Sequence, residues 1–189
     1  MRKSFQFFAI FLLVLVAMVG TVHAEDLAFT TFPRALGVQV GRIAGIGLSY
    51  QKWDGPWGYQ FAAGALYHPL MDDGHDVFNY NAGAQGYYAI FSDDFSTWLS
   101  SRLYVLAGIN HRGYKEAVET PPYSGTYVAG DFHPEFGLGG GVGVEAVFFE
   151  HFAVSTEMVY ALFWRPIEPV AHEQFALEIL PQVSLRYRF

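Results

Sequence analysis

The last fifteen residues constrain this chain more than any other segment. Phe175, Leu177, Ile179, Pro181, Val183, Leu185, Tyr187 and Phe189 take every second position. Ala176, Glu178, Leu180, Gln182, Ser184, Arg186 and Arg188 lie between them. A strand sends alternate side chains to opposite faces, so this is one strand with an apolar face and a mostly polar one. It is longer than the ~5–6 residues of a usual strand and runs unbroken to a terminal Phe.

The same alternation predicts seven more strands upstream. Their ranges are Ala35–Gly41, Ala44–Trp53, Trp57–His68, Phe78–Phe91, Thr97–Tyr114, Phe132–Phe149 and Phe152–Arg165, with Phe175–Phe189 the eighth. Connections after the second, fourth and sixth strands are short: Asp54-Gly55-Pro56, Ser92 to Ser96 and Glu150-His151. Those after the third, fifth and seventh are long: Pro69 to Val77, Lys115 to Asp131 and Pro166 to Gln174. Short turns at one end and long loops at the other match the pattern of outer-membrane barrels. The first connection, near Arg42-Ile43, breaks it, being short where a long one is expected.

Targeting and composition agree. Arg2 and Lys3 precede an apolar run from Phe5 to Val19, and Val22-His23-Ala24 makes a small-x-small site before Glu25. This predicts a cleaved secretory signal peptide over residues 1–24, a periplasmic leader over 25–34 and a barrel over 35–189. The chain has no Cys, hence no disulfide framework or thiolate metal site. Two of its eleven Lys and Arg fall in the signal peptide, against eighteen Asp and Glu in the remainder, which argues against a nucleic-acid partner. Lys52 and Lys115 are the only lysines after the signal peptide. A soluble β protein uses Lys freely on its solvent face, so their scarcity points to strands that meet little water.

The sixth strand sets Phe136, Leu138, Val142, Val144 and Phe148 against Glu135, Gly137, Gly139, Gly141, Gly143 and Glu145. A lipocalin-like soluble barrel would turn the apolar face inward. An eight-stranded lumen only just accommodates side chains, and so many bulky aromatics do not fit there together. The apolar face is therefore expected against lipid. Trp53, Trp57, Trp98, Phe148, Phe152 and Tyr187 fall near the short turns, and Tyr67, Phe78, Tyr114, Phe132, Trp164 and Phe175 near the long loops. These read as two interfacial girdles. In hydrocarbon an unpaired strand edge is not tolerated, so the sheet must close. The expected fold is all-β: a closed antiparallel eight-stranded transmembrane β-barrel.

With its terminal aromatic strand and alternating loop lengths, the chain resembles small eight-stranded outer-membrane barrels: the OmpA transmembrane domain and the OmpX-like and OmpW-like proteins. The resemblance implies the cell outer membrane as location, with outer-membrane lipid and lipopolysaccharide as surroundings. It also implies the barrel-assembly machinery as a partner reading the C-terminal signal, Tyr187 and Phe189. No peptidoglycan-binding domain follows the last strand in this sequence, so the wall-anchoring role of the OmpA family does not carry over.

The inward face collects charges. A register that sets Arg102 opposite Glu145 also sets Arg112 opposite Glu135, and one that sets Glu157 opposite Arg186 also sets Arg165 opposite Glu178. Arg165 also falls beside Glu135 between the sixth and seventh strands. The expectation is an upper layer of Arg112, Glu135, Arg165 and Glu178 and a lower layer of Arg102, Glu145, Glu157 and Arg186. Buried opposite charges must pair, and Gln39, Gln51, Gln60, Gln85 and Asn110 could complete the hydrogen bonding. Coincidence, or charges hydrated in a water-filled lumen, would also account for them.

Other motifs carry less chemistry. Asp72-Asp73-Gly74-His75-Asp76 lacks the spacing and final Glu of a calcium loop. The glycine run from Gly137 to Gly143 precedes no Lys-Ser/Thr and no helix, so a phosphate loop is excluded; small residues making room for inward side chains fit better. His68, His111 and His133 lie near the upper strand ends without a partnered Ser, and no G-x-S-x-G elbow exists. His151 and Ser155 are expected on the lumen face. Tyr123 and Tyr127, in the loop with Pro121-Pro122, would either form an adhesive surface or pack on the rim. No catalytic, cofactor or metal site is expected. The leading function is non-enzymatic, in envelope structure or surface interaction, with an extracellular ligand engaging the long loops. A narrow channel for water or small ions, and a lipid-modifying enzyme, are the alternatives.

Overall fold

The structure, a computed structural model, describes residues 27–70, 75–122, 124–125, 127–167 and 174–189. The expected signal peptide lies outside the described residues, as do Asp72, Asp73, Gly74 and Tyr123 and the side chains of Tyr67, His68, Asp76 and Tyr127. Eight strands follow a five-residue helix, α1 (Leu27–Thr31), which stands in the expected leader. They are β1 (Arg34–Val40), β2 (Gly47–Asp54), β3 (Trp57–Leu70), β4 (His75–Ser96), β5 (Leu99–Glu119), β6 (Tyr127–Phe148), β7 (Phe152–Trp164) and β8 (Phe175–Arg188). Each strand pairs antiparallel with the next, and β8 pairs back onto β1, closing the ring. Phe189 completes the seam by donating its N–H to the Arg34 carbonyl at 2.8 Å.

Burial alternates residue by residue along β7, from exposed Phe152 to exposed Trp164. The exposed set is apolar all round the ring: Leu36 and Val38 on β1, Leu48 on β2, Phe61 on β3, Leu138 and Val142 on β6, Ile179 and Leu185 on β8. The buried set holds the polar and charged residues, Gln39, Gln51, Gln60, Gln85, Glu145, Glu157, Arg186 and Arg188 among them. The apolar face therefore points outward and the polar face fills the lumen. Below, the end with the short turns and the termini is called lower, the opposite end upper.

Aromatic side chains are exposed at both levels: Trp57, Trp98, Phe152 and Tyr187 at the lower end, and Phe78, Phe132, Trp164 and Phe175 at the upper. Trp53 departs from the expectation. It is not in the lower girdle but inside the lumen, with 1% of its surface exposed. Its parity explains this, since it shares the inward face of β2 with Ser49 and Gln51. Tyr114 departs likewise, sharing the inward face of β5 with Asn110 and Arg112 and stacking on His133. The strand ends also differ: β2 starts at Gly47 rather than Ala44, and β4, β5 and β6 take in residues 92–96, 115–119 and 127–131, expected as connections. Residues 41–46 are not strand; they form the β1–β2 connection, which folds into the barrel.

Candidate functional site: the filled lumen

The β1–β2 connection turns inward at Gly41 and leaves through Gly45, whose N–H returns to the Gly41 carbonyl at 2.9 Å. Gly45 has φ of +99°, a conformation that a side chain would strain. Ile43 and Ala44, between them, are fully buried. The Gln182 side-chain oxygen accepts both of their N–H groups, at 3.0 and 2.7 Å. The wall is shaped to receive them. A Cβ on Gly83 would stand 2.4 Å from the Ala44 carbonyl, and Cβ atoms on Gly137 and Gly139 would meet the Ile43 side chain at 2.8 and 3.0 Å. Part of the glycine run of β6 is thus the seat of a single isoleucine. Ile43 joins Leu106, Val159, Ala161 and Phe163 in an apolar septum across the lumen.

Above the septum lies a charged layer centred on Arg42, which the sequence reasoning did not include. Arg42 donates from one terminal nitrogen to Glu135 and from the other to Glu178, both at 2.7 Å. Its guanidinium carbon lies 3.8 Å from the centre of the Phe163 ring. Arg165 donates to the second Glu135 oxygen at 2.8 Å. The expected contact between Arg165 and Glu135 is therefore present. Arg112 lies opposite Glu135 by backbone register, but its guanidinium covers the Tyr114 ring at 4.7 Å instead. Both Glu135 oxygens already have an arginine partner.

Below the septum, Trp53, Tyr87 and Tyr104 form an aromatic cluster with ring centres 4.9 to 5.6 Å apart. Around it the strands supply a polar network. Arg188 donates to Glu145 at 3.3 Å, with both side chains fully buried, and the Trp53 indole N–H donates to the same oxygen at 3.2 Å. Glu157 accepts from the Tyr104 hydroxyl at 2.8 Å, from Gln182 at 2.9 Å and from Gln85 at 3.3 Å. Arg186 donates to Gln39, Gln60, Ser49 and Ser155, all neutral. The Tyr87 hydroxyl bridges Gln60 and Gln85 at 2.6 and 2.9 Å. Cation and carboxylate are thus joined through two amides and a phenol. Arg102 lies opposite Glu145 as expected and donates to Ser92 at 2.7 Å.

The expected β7–β8 register is corrected. Glu157 faces Gln182, and Arg186 faces Ala153, four residues away from the pairing that the charges suggested; Glu178 faces Ala161 rather than Arg165. The observed register sets Phe152 against Tyr187 and Trp164 against Phe175, aligning aromatics at both rims. An even shift keeps every side chain on its face, so the apolar alternation was blind to it.

The lower mouth is covered by α1. Phe29 packs on Val147 and Ala153, with the guanidinium carbons of Arg102 and Arg188 at 3.9 and 4.8 Å from its ring centre. Ser155 is in the lumen as expected, hydrogen-bonded to Ser184. His151 stands in the β6–β7 turn, stacked on Tyr187, and is half-buried. Tyr187 and Phe189 both face outward at the closing strand.

No protein-family model matches the chain, and no curated protein matches it. Among solved structures it is similar to Ail, the attachment invasion locus protein of Yersinia pestis, at 11% identity and a TM-score of 0.34, over 82% of this chain and 93% of Ail. The eight antiparallel strands, joined first to last, make the chain a small closed β-barrel with an apolar exterior and a filled, polar interior.

Proposed function

We propose that the chain is an integral outer-membrane barrel without enzymatic activity, serving envelope structure or surface interaction, with a lumen that does not conduct. The observation that carries this reading is the apolar exterior, continuous around the ring and flanked by aromatics at both rims. Soluble monomers rarely expose apolar patches beyond a few hundred Å², whereas a spanning barrel carries such a belt with aromatic girdles. The closed backbone ring leaves no spanning edge for lipid to desolvate. Non-conduction is supported by successive obstructions: the Arg42 layer, the Ile43 septum, the aromatic cluster and the Phe29 cap.

The partners that fit are outer-membrane lipid and lipopolysaccharide around the belt, and the assembly machinery at Tyr187 and Phe189. An extracellular ligand would meet the upper connections. The test is reconstitution of the mature chain in liposomes and planar bilayers. The reading expects a heat-modifiable gel shift, diagnostic of a folded barrel, and no steady single-channel current. Steady conductance would replace it with the channel reading, and turnover of labelled lipid A would replace it with the enzymatic one.

A further inference from the structure

We infer that the upper lumen is a binding site for guanidinium-bearing cations, filled in the resting molecule by the chain's own Arg42. Residues 42–44 are held as a docked peptide would be. A charged anchor bridges two carboxylates on different strands, Glu135 of β6 and Glu178 of β8. An aromatic face, Phe163, covers the anchor. One amide oxygen, of Gln182, receives two successive backbone N–H groups. A planar fork with donors on both sides suits two separated carboxylates, which a point-like ammonium does not.

The site can be reached. The Arg42 and Glu178 side chains retain 26% and 33% of their surface, and they lie at the open, upper end. Other charged groups at that end include Arg165, on Glu135, and Arg112, over Tyr114; the ring of His133 stacks on Tyr114. If Arg42 leaves, Glu135 keeps Arg165 in contact, while Glu178 makes no other ion pair among the described residues and feels Arg165 only at longer range. Arg42 is tethered by a short connection, so it competes with every external ligand of its own chemistry.

This inference rests on the barrel reading above, and heat-modifiable migration of the same samples separates a failed barrel from a folded one that binds nothing. The probe is agmatine, with 1,4-diaminobutane, of the same chain and charge, as the ammonium counterpart, titrated by calorimetry into the mature chain in detergent. Arg42→Ala and Arg42→Gln should bind agmatine saturably and at least about tenfold tighter than the unaltered chain. Adding Glu178→Gln should abolish that binding. In the unaltered chain, agmatine should speed amide exchange at Ile43 and Ala44 saturably, where sodium chloride of equal ionic strength does not. The inference is overturned if folded Arg42 variants bind agmatine no tighter than the unaltered chain, or if 1,4-diaminobutane binds equally well. Indifference to Glu178→Gln overturns it too, and so does unchanged Ile43 and Ala44 exchange under agmatine, a readout that needs no variant.

Discussion

The two halves of the lumen solve the problem of buried charge differently. In the lower half Arg102, Glu145, Glu157, Arg186 and Arg188 all come from strands, and the central ion pair, Arg188 with Glu145, is fully buried. Arg186 and Glu157 are not in contact; amides, hydroxyls and a tyrosine lie between them. In the upper half the decisive cation, Arg42, comes from a connection, and its ion pairs keep partial exposure. The lower half is therefore part of the wall, and the upper half is a segment laid into it. Gln182 joins them, accepting from the connection with its oxygen and donating to Glu157 with its nitrogen.

That contrast can be broken by mutation. Glu145→Leu leaves Arg188 buried without its carboxylate and should destabilise the whole barrel by about 3–5 kcal/mol, read from the urea midpoint of the gel shift. Adding Arg188→Met should recover most of the loss, since a buried pair replaced by apolar groups is often neutral; no recovery would show that the pair is not the unit. Ile43→Ala should cost about 2–5 kcal/mol, because its glycine-lined seat has little to collapse into the space. A negligible cost would mean that the connection does not pack in the lumen in solution.

Smaller effects sharpen the boundary between the halves. Gln182→Leu removes the one oxygen that accepts both buried amides of the connection and should cost about 1–3 kcal/mol in all, since a connection can shift to relieve part of the loss. It should also raise amide exchange in residues 41–46 more than in the strands. Arg42→Ala should cost only about 1 kcal/mol, the scale of a partly exposed ion pair, while freeing the same amides. An Arg42→Ala loss as large as that of Glu145→Leu would erase the distinction between an inlaid segment and a wall.

Much of this was legible in the sequence, and the failures are instructive. Period-two alternation marked the strands and their faces because an apolar exterior and a polar lumen impose opposite demands on neighbouring residues. Charge complementarity gave the β5–β6 register and the Arg165–Glu135 contact. It misled at β7–β8, where amides rather than opposite charges satisfy Glu157 and Arg186. Arg42 escaped because it sits on no strand, so no face or register could place it. Two signals pointed to it: a connection too short for its end of the barrel, and the glycines of β4 and β6, which left space for something to enter. Trp53 was assigned by its nearness to a turn, although its parity with Gln51 already placed it inside.

The central claim is the direction of the two faces, and lipid quenching of tryptophan tests it most directly. Four variants each keep one of the four tryptophans, Trp53, Trp57, Trp98 or Trp164, and are refolded into bilayers with brominated acyl chains. Trp57, Trp98 and Trp164 should be quenched, because their rings stand on the exterior. Trp53 should keep its emission, because it lies behind the wall among Tyr87, Tyr104 and Glu145. Quenching of Trp53 as strong as that of Trp57, with the other two silent, would contradict the account.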